Sequence, residues 1–482
     1  MACVAGWCLL QEEEVSVPVS SWRRPMSTIV AGDSSISGGK EIQSSAHLPK
    51  GHEVESSGDD KSTIHYTYDD YLSDIPEKMV GSTSEYYKRK ALFDYNKEII
   101  RRHNSNHPQG HMLGLNQFMD RFDYELPQRG YDKTRHEAWS QNHIDPSMLT
   151  KSDDSSATTS KSRQLDYWSL VEDLTFSSSE MLPKSVDWRT CPKTGKPLST
   201  PVKAQGRCGS CWAFATTAAL ESHVAMASSN KTLFSLSMQE LVSCVPNPNH
   251  CGGKGGCSGS TAELALDFIA VKGIVDEWHF GYQSFDGRHQ VKCSLQEEED
   301  DITTGVEVAS RLSKYYDHAV ATVHGYAKLP TNNYTSLMHA LAKVGPVIVN
   351  VAADPWRFYE SGVFTPRGHS VGQTDINHVV VLMGYGTDET TGEDYWLVRN
   401  SYGPQWGEEG YIRLKRVDPA TLPHPDADCG MDVRPADGIA CTEQDDDRHH
   451  GHHHITPPAV KVCGTSGILF DPILPIGARM LW

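Results

Sequence analysis

Cys211 lies in the run Gln205-Gly-Arg-Cys208-Gly209-Ser210-Cys211-Trp212-Ala-Phe214, and the Ala-rich stretch from Ala215 to Ser228 reads as a helix. Ser210 is an N-cap residue by type, so the Cys211 thiol is expected in the first helical turn. The helix dipole and unpaired backbone N–H groups favour a thiolate there, which predicts a lowered pKa and a sulfur able to attack a carbonyl carbon. The competing reading is a buried or disulfide-bonded cysteine, the usual fate in a chain with 12 of them. A base for such a nucleophile is offered by His378 in Asp375-Ile-Asn377-His378-Val-Val-Val-Leu-Met-Gly384-Tyr385-Gly386. A lone histidine ahead of an apolar strand is more often structural, and the residues by themselves leave both readings open.

More than one folding unit must position these groups, because 482 residues exceed the roughly 250 to 300 at which a single core stops growing. From Gln11 to about Gly81 the chain is rich in Ser, Gly, Asp and Glu with no sustained apolar period, so residues 1–80 read as a disordered leader. Glu85, Arg89, Phe93, Asn96, Ile100 and Asn104 then follow at steps of four, four, three, four and four, on one face of a helix. Taken alone this is an ordinary amphipathic helix with a Glu85–Arg89 ion pair. Gly114-Leu-Asn116-Gln-Phe118-Met-Asp120 comes about ten residues later, and the Ser- and Thr-rich segment from Lys151 to Arg163 reads as an exposed linker. The texture changes at Leu182-Pro-Lys-Ser-Val-Asp187-Trp188-Arg, so the expected division is a helical segment with its linker over 81–181 and a second unit over 182–482. Insertions interrupt that unit near 294–305, with the acidic run Glu297 to Asp301, and near 417–462, with Asp445-Asp-Asp-Arg-His449-His450-Gly-His452-His453-His454. The histidine tract lacks the fixed ligand spacing of a structural zinc site, so neither a metal nor a cofactor is expected.

The run around Cys211 resembles the active-site signature of papain-like cysteine peptidases, and the likeness extends from Leu182 to the C-terminus. The helix spaced from Glu85 to Asn104 is similar to the pro-segment signature of the cathepsin L-like branch, and Gly114, Asn116, Phe118 and Asp120 to that branch's second pro-segment motif. His378 with its trailing Gly-Tyr-Gly resembles the family's catalytic histidine. Asn400, in Tyr395-Trp-Leu-Val-Arg-Asn400-Ser401-Tyr402-Gly403-Pro-Gln-Trp406-Gly407, resembles the asparagine that orients it. The resemblance implies an α+β fold in two lobes, one helical and one β-barrel-like, preceded by a helical pro-segment that lies across the cleft as an intramolecular inhibitor and leaves under acid. It implies a cysteine-type endopeptidase made as an inactive precursor and acting on proteins or peptides. Its Cys211 thiolate and His378 imidazolium would form an acyl-enzyme, with Gln205 and the Cys211 N–H stabilising the oxyanion. A transpeptidase using the same residues is the runner-up, while a non-catalytic binding protein on this fold is opposed by intact Gln205, Cys211, His378 and Asn400.

The chain departs from the family pattern in several places. His378 and Asn400 lie farther beyond Cys211 than the usual separation of roughly 130 to 150 residues, which the insertion near 294–305 explains in part. Tyr402 stands where most relatives have a tryptophan covering the histidine–asparagine hydrogen bond, and Asn377 where many have aspartate. Two disulfides carry over by resemblance, Cys208 with Cys257 and Cys244 with Cys293. Both partners of the family's third bridge are absent, Ser466-Gly467 standing in for its C-terminal Cys-Gly pair, so Cys191, Cys251, Cys429, Cys441 and Cys463 have no assigned pairing. The same alignment puts Asp471 on the floor of the pocket for the second residue before the scissile bond, where a carboxylate accepts arginine. The alternative is a turn at Phe470-Asp471-Pro472 with the carboxylate in solvent. Gly259 is expected to line the cleft, Ser260 to narrow it, and Tyr402 and Trp406 to meet substrate.

Composition sets outer limits. With 44 basic and 62 acidic side chains the formal charge of −18 repels a phosphate backbone, which argues against a nucleic-acid partner. No stretch approaches the roughly 18 apolar residues of a membrane span. The cysteines and the sequons at Asn230 and Asn333 indicate an oxidising compartment. A monomer in the lysosome or vacuole, or secreted, is expected, although Met1 to Leu10 lacks the basic flank of a signal peptide and Glu12 to Glu14 follow at once.

Overall fold

The computed structural model describes residues 66–75, 81–107, 110–127, 182–228, 232–248, 251–287, 291–293, 318–366, 374–424, 426–433 and 459–481. The Lys151–Arg163 linker, the sequon at Asn230, the 294–305 insertion with its acidic run, Cys441 and the His449–His454 tract lie outside the described residues.

The first helix, α1 (Tyr68–Asp74), falls in the stretch read as a disordered leader, so the folded N-terminal unit starts before residue 81. Thr67 and Asp70 complete a capping box at its start. Of its residues Tyr68 and Tyr71 are buried, too few to register as an apolar period. Their rings pack on Phe93 of α2 (Thr83–Asn106), with centroids 5.5 and 5.0 Å apart.

Ser82 caps α2 by accepting from the Glu85 N–H at 3.2 Å. Of the six residues expected on one face, Phe93, Asn96 and Ile100 are buried, while Glu85, Arg89 and Asn104 flank them half-buried. The polar members hold the returning chain, which includes β1 (Met112–Leu113). Asn96 Nδ2 donates to the Met119 carbonyl at 2.8 Å. Asn104 Nδ2 donates to the Leu113 carbonyl at 2.8 Å and its Oδ1 accepts from the Leu113 N–H at 3.0 Å. Arg89 forks onto Glu125 at 2.6 and 2.7 Å, bonds Glu85 at 2.8 Å and donates to the Asp120 carbonyl at 3.0 Å.

The second unit opens on β2 (Val186–Asp187) and continues into a helical lobe of α3 (Cys211–Ala227), α4 (Met238–Cys244) and α5 (Ala262–Lys272). α3 is buried from Cys211 to Met226 on every side, as its Ala-rich surface permits, and its carboxylate Glu221 accepts from the Thr200 hydroxyl at 2.6 Å and the Leu236 N–H at 2.8 Å. Ser237 and Thr261 cap the other two helices, and Gly273, at φ 73°, ends α5 in a conformation that favours glycine.

The strand-rich lobe contains β3 (Ala321–Thr322), β4 (Gly325–Lys328), α6 (Tyr334–Lys343), β5 (Val347–Val351), β6 (Tyr359–Ser361), β7 (Val363–Phe364), β8 (His378–Thr387), β9 (Asp394–Arg399), β10 (Tyr411–Lys415), β11 (Cys429–Asp432), β12 (Val460–Cys463), β13 (Ile473–Ile476) and β14 (Arg479–Met480). One sheet runs in the order β4-β13-β5-β8-β9-β10-β7, with β2 joined to β8. The expected α+β architecture is present, with an open sheet whose edge strands β4 and β7 do not pair with each other in place of a closed barrel. Where β2 meets β8, a Cβ on Gly384 would collide with the Val186 carbonyl, so the close approach requires glycine. α3 packs on β8 and so brings Cys211 to the strand that starts with His378.

Cys208–Cys257 and Cys244–Cys293 are bridged as expected, and Cys429–Cys463 fastens the antiparallel hairpin of β11 and β12 inside the second insertion. Cys251 is also disulfide-bonded, and Cys191 is a buried thiol. Asn333 caps α6, its Oδ1 accepting from the Ser336 N–H at 2.9 Å. Among the described residues no helix is long and apolar enough to cross a membrane, and no cluster of three or more His, Cys, Asp or Glu side chains is placed to hold a metal ion.

Candidate active site

His378 is the first residue of β8, and Asn400 follows the last residue of its antiparallel neighbour β9, so sheet register brings both to one end of the lobe. The His378 ring Nε2 donates to Asn400 Oδ1 at 2.9 Å. That oxygen also accepts from the Ser401 N–H at 2.8 Å, which fixes the amide's orientation. A carbonyl oxygen only accepts, so Nε2 carries the hydrogen and Nδ1 is the ring atom left for a thiol. Tyr402 stacks on the imidazole at 5.2 Å and meets Trp406 edge-on at 5.4 Å, covering the pair as a larger indole would. Trp406 is wholly buried behind Tyr402 and against Tyr359, so in this state it supports the cover and does not meet substrate.

Cys211 is the first residue of α3, and Ser210 occupies the N-cap position without a capping bond. The Ser210 hydroxyl instead bonds the Tyr282 hydroxyl at 2.8 Å. Tyr282 gives its own hydrogen to the Gln205 carbonyl at 2.8 Å, a contact between residues too far apart in sequence to be anticipated. The Cys211 thiol is fully buried, and burial pushes it up to about 11, against backbone N–H bonds from Val379 and Trp212 that pull it down. Burial likewise holds His378 down at about 4, against the Asn400 hydrogen bond. The expected lowering of the thiol pKa is therefore opposed in the covered site, where loss of water pushes the thiol up and the imidazole down.

Gln205 is buried next to this pair. Its Oε1 accepts from the Ser401 hydroxyl at 2.6 Å, and its Nε2 donates to the Cys208 carbonyl at 2.8 Å. An amide nitrogen has two hydrogens, so a second donor remains for an oxyanion. Ser401, which fixes both Gln205 and Asn400, was not among the expected site residues, although it sits beside Asn400 in the chain.

The covering segment comes from the N-terminal unit. β1 pairs antiparallel with β6, Met112 opposite Ser361 and Leu113 opposite Tyr359, and the Gly114 N–H donates to the Phe358 carbonyl at 2.9 Å. Asn116 Nδ2 donates to the Arg357 carbonyl at 2.8 Å and Gln117 Nε2 to the Tyr402 carbonyl at 2.7 Å. Phe118 meets the Tyr402 ring edge-on at 5.5 Å. With Leu126 and Pro127 it forms one wall of a cavity whose other wall includes Asp354, Asn377, His378 and Tyr402. Asp120 is buried and accepts from Tyr68 and Tyr71 at 3.0 and 3.3 Å, and so holds the segment's own fold together.

Asp471 is only 5% exposed, which excludes the solvent-facing turn. Its carboxylate meets Lys328 Nζ at 2.8 Å and accepts from Asn350 Nδ2 at 3.1 Å, with Glu263 3.5 Å from the same lysine. Ser260 is buried, its hydroxyl 3.5 Å from Asn247 Nδ2. Gly259 is buried, with its carbonyl taken by the Gly255 N–H at 2.7 Å.

Residues 182–436 match the family described as papain family cysteine protease, and residues 68–126 match the cathepsin propeptide inhibitor domain. Cysteine protease 1 of Oryza sativa subsp. japonica is 40% identical over 239 residues, covering 49% of this chain and 41% of that protein. Cathepsin L1 of Drosophila melanogaster is 32% identical over 344 residues, covering 69% and 76%. The chain spans 41–58% of the length of the plant relatives it matches. Among solved structures, digestive procathepsin L 3 from the larval midgut of Tenebrio molitor superposes with a TM-score of 0.55 at 24% identity, covering 86% of this chain and 100% of that one, and so shares its fold.

Proposed function

Because the chain belongs to the papain family of cysteine proteases and carries that family's propeptide inhibitor domain, we propose that it is the precursor of a cysteine endopeptidase whose nucleophile is Cys211. The observation that carries this reading is the His378–Asn400 pair at the first residue of the buried helix α3, beneath a strand hydrogen-bonded to β6. Once the cover leaves, water returns, and the helix terminus and His378 favour the thiolate–imidazolium pair. The thiolate attacks the peptide carbonyl carbon to form a thioester, and His378 gives its Nδ1 proton to the departing amine. Water then attacks the thioester, His378 takes its proton, and the acid product leaves as the thiol is restored. The free amide hydrogen of Gln205 and the Cys211 N–H stabilise the oxyanion of both steps, a contribution of about 3 kcal/mol per donor.

The mature enzyme runs from about Leu182, and the inhibitor from α1 to the end of the linker. The disulfides and the Asn333 sequon support maturation along the secretory pathway, and a histidine whose pKa burial holds down while covered suits activation in an acidic lysosome or vacuole. At the second residue before the scissile bond Asp471 is engaged by Lys328, so a substrate arginine gains its carboxylate only by displacing that lysine.

The test is peptide hydrolysis by the purified precursor before and after acid treatment. Activity should emerge with acid, be blocked by a thiol-alkylating epoxide and be absent from Cys211→Ala. Turnover that survives in Cys211→Ala, or no turnover at all, would sink the reading. Ligated product in place of free acid would redirect it to a transpeptidase.

A further inference from the structure

The insertion hairpin β11–β12 lies against the loop that delivers His378. Hydrogen bonds at Thr374, Ile376 and Asn377 hold that loop. On one side the Asn377 N–H donates to the Val351 carbonyl at 3.0 Å, while its side chain accepts from the Ala353 N–H at 3.2 Å and donates to Asp354 at 2.8 Å. On the other side the hairpin supplies the Met431 carbonyl, which accepts from the Thr374 N–H at 2.9 Å, and the Asp432 carboxylate, which accepts from the Ile376 N–H at 3.2 Å. Asp432 is wholly buried, and its cross-strand register with Val460 is fixed by the Cys429–Cys463 bridge at the other end of the hairpin. The hairpin is itself anchored: Asn332 donates to the Lys461 carbonyl at 3.0 Å and accepts from the Cys463 N–H at 2.9 Å, and the Gly464 N–H donates to the Asp428 carbonyl at 2.9 Å.

We propose that Asp432 is a positioning residue for His378: the disulfide-fastened hairpin holds the Ile376 N–H and thereby sets where the imidazole stands two residues later. A buried carboxylate accepting a backbone N–H, here at 3.2 Å, is a directional tether. Displacing a catalytic group by about 1 Å costs on the order of a hundredfold in rate, so a tether this close to the base acts on turnover more than on substrate affinity. The inference rests on the peptidase reading above.

The experiment compares acid-matured wild type, Asp432→Ala and Asp432→Asn for kcat, KM, melting temperature and the pH dependence of Cys211 alkylation by iodoacetamide. Alkylation reports the thiolate–imidazolium pair without needing turnover. Asp432→Ala should lose roughly ten- to a hundredfold in kcat with KM within about twofold, and the acid limb of its alkylation profile should move toward that of an ordinary thiol near 8.5. Asp432→Asn keeps an acceptor oxygen and should recover to within about threefold of wild type with the wild-type profile. Should Asp432→Ala not fold, the Cys429→Ser/Cys463→Ser variant carries the test, because it loosens the hairpin with the carboxylate in place and should move the acid limb the same way. An Asp432→Ala enzyme with wild-type kcat and profile, an Asparagine variant no better than alanine, or an unmoved profile in the cysteine pair overturns the positioning role. Wild type itself failing to hydrolyse peptide would instead bring down the peptidase reading on which it stands.

Discussion

In a Cys211→Ser precursor, which cannot process itself, hydrogen exchange of the Gly114 amide reports how often β1 lifts from β6, since that N–H is bonded to the Phe358 carbonyl at 2.9 Å. Burial holds His378 at about 4 in the covered state, against 6.5 for a solvated imidazole. Between those two values the open state binds a proton that the covered state does not, so acid favours opening. By linkage the gain begins as pH falls through 6.5 and is complete below about 4, where it amounts to about 3 kcal/mol, or roughly 300-fold in the opening equilibrium. The carboxylates act lower. Arg89 holds Glu85 below the ordinary carboxylate range, and it does the same for Glu125 although burial there pulls upward. Their contribution is present above the unfolded pKa and is lost only as pH falls below roughly 4. Replacing His378 by glutamine should therefore flatten the opening curve between pH 6.5 and 4, after correction for intrinsic exchange, and leave a steep rise below it. Equal slopes in the two proteins across that window would refute the argument and leave the carboxylates as the whole of the acid response.

Three further outcomes follow from the packing. Phe93→Ala removes the ring on which Tyr68 and Tyr71 pack, so the N-terminal unit should lose about 3 to 5 kcal/mol; calorimetry should show its transition displaced downward and maturation should quicken, and an unmoved transition would contradict the assigned core. Ser401→Ala removes the hydroxyl that holds Gln205 Oε1 at 2.6 Å and should lower kcat by roughly tenfold at constant KM, the cost of about 1 to 2 kcal/mol for an unanchored buried amide; a fall in KM-dependent terms alone would point away from Gln205. Lys328→Met frees Asp471 and should raise the preference for arginine over phenylalanine at the second residue before the scissile bond by about tenfold, and an unchanged ratio in the matured enzyme would show that Asp471 does not reach substrate.

What could be read in the sequence was whatever repeats at short range. The face from Glu85 to Asn104 was visible because a helix returns every third or fourth residue to the same side. The partners of that face, the Met119 and Leu113 carbonyls, were not, because the chain has to fold back before they meet it. Cys211, His378 and Asn400 each announced themselves through local motifs. Ser210 was assigned a cap on residue type, yet a tyrosine 72 positions away claims its hydroxyl. The thiol's pKa was misjudged for a related reason: a helix terminus is written in the sequence, whereas the wall made by Phe118, Leu126 and Pro127 is a product of the fold. α1 escaped notice because two tyrosines suffice to bury it against an aromatic partner. Asp471 was located, but its lysine lies on β4, and only the adjacency of β4 and β13 brings the two together.

That same adjacency has a consequence for biosynthesis. β13, which follows the other strands of this sheet in the sequence, is not at its edge but between β4 and β5. Until it leaves the ribosome, the sheet that carries His378 has a gap beside its central strands. The inhibitory unit, whose core is complete by about residue 125, emerges roughly 350 residues earlier, which at 5 to 20 residues per second is a lead of about 20 to 70 s. The restraint is thus on the nascent chain well before the sheet of the lobe it restrains can be completed.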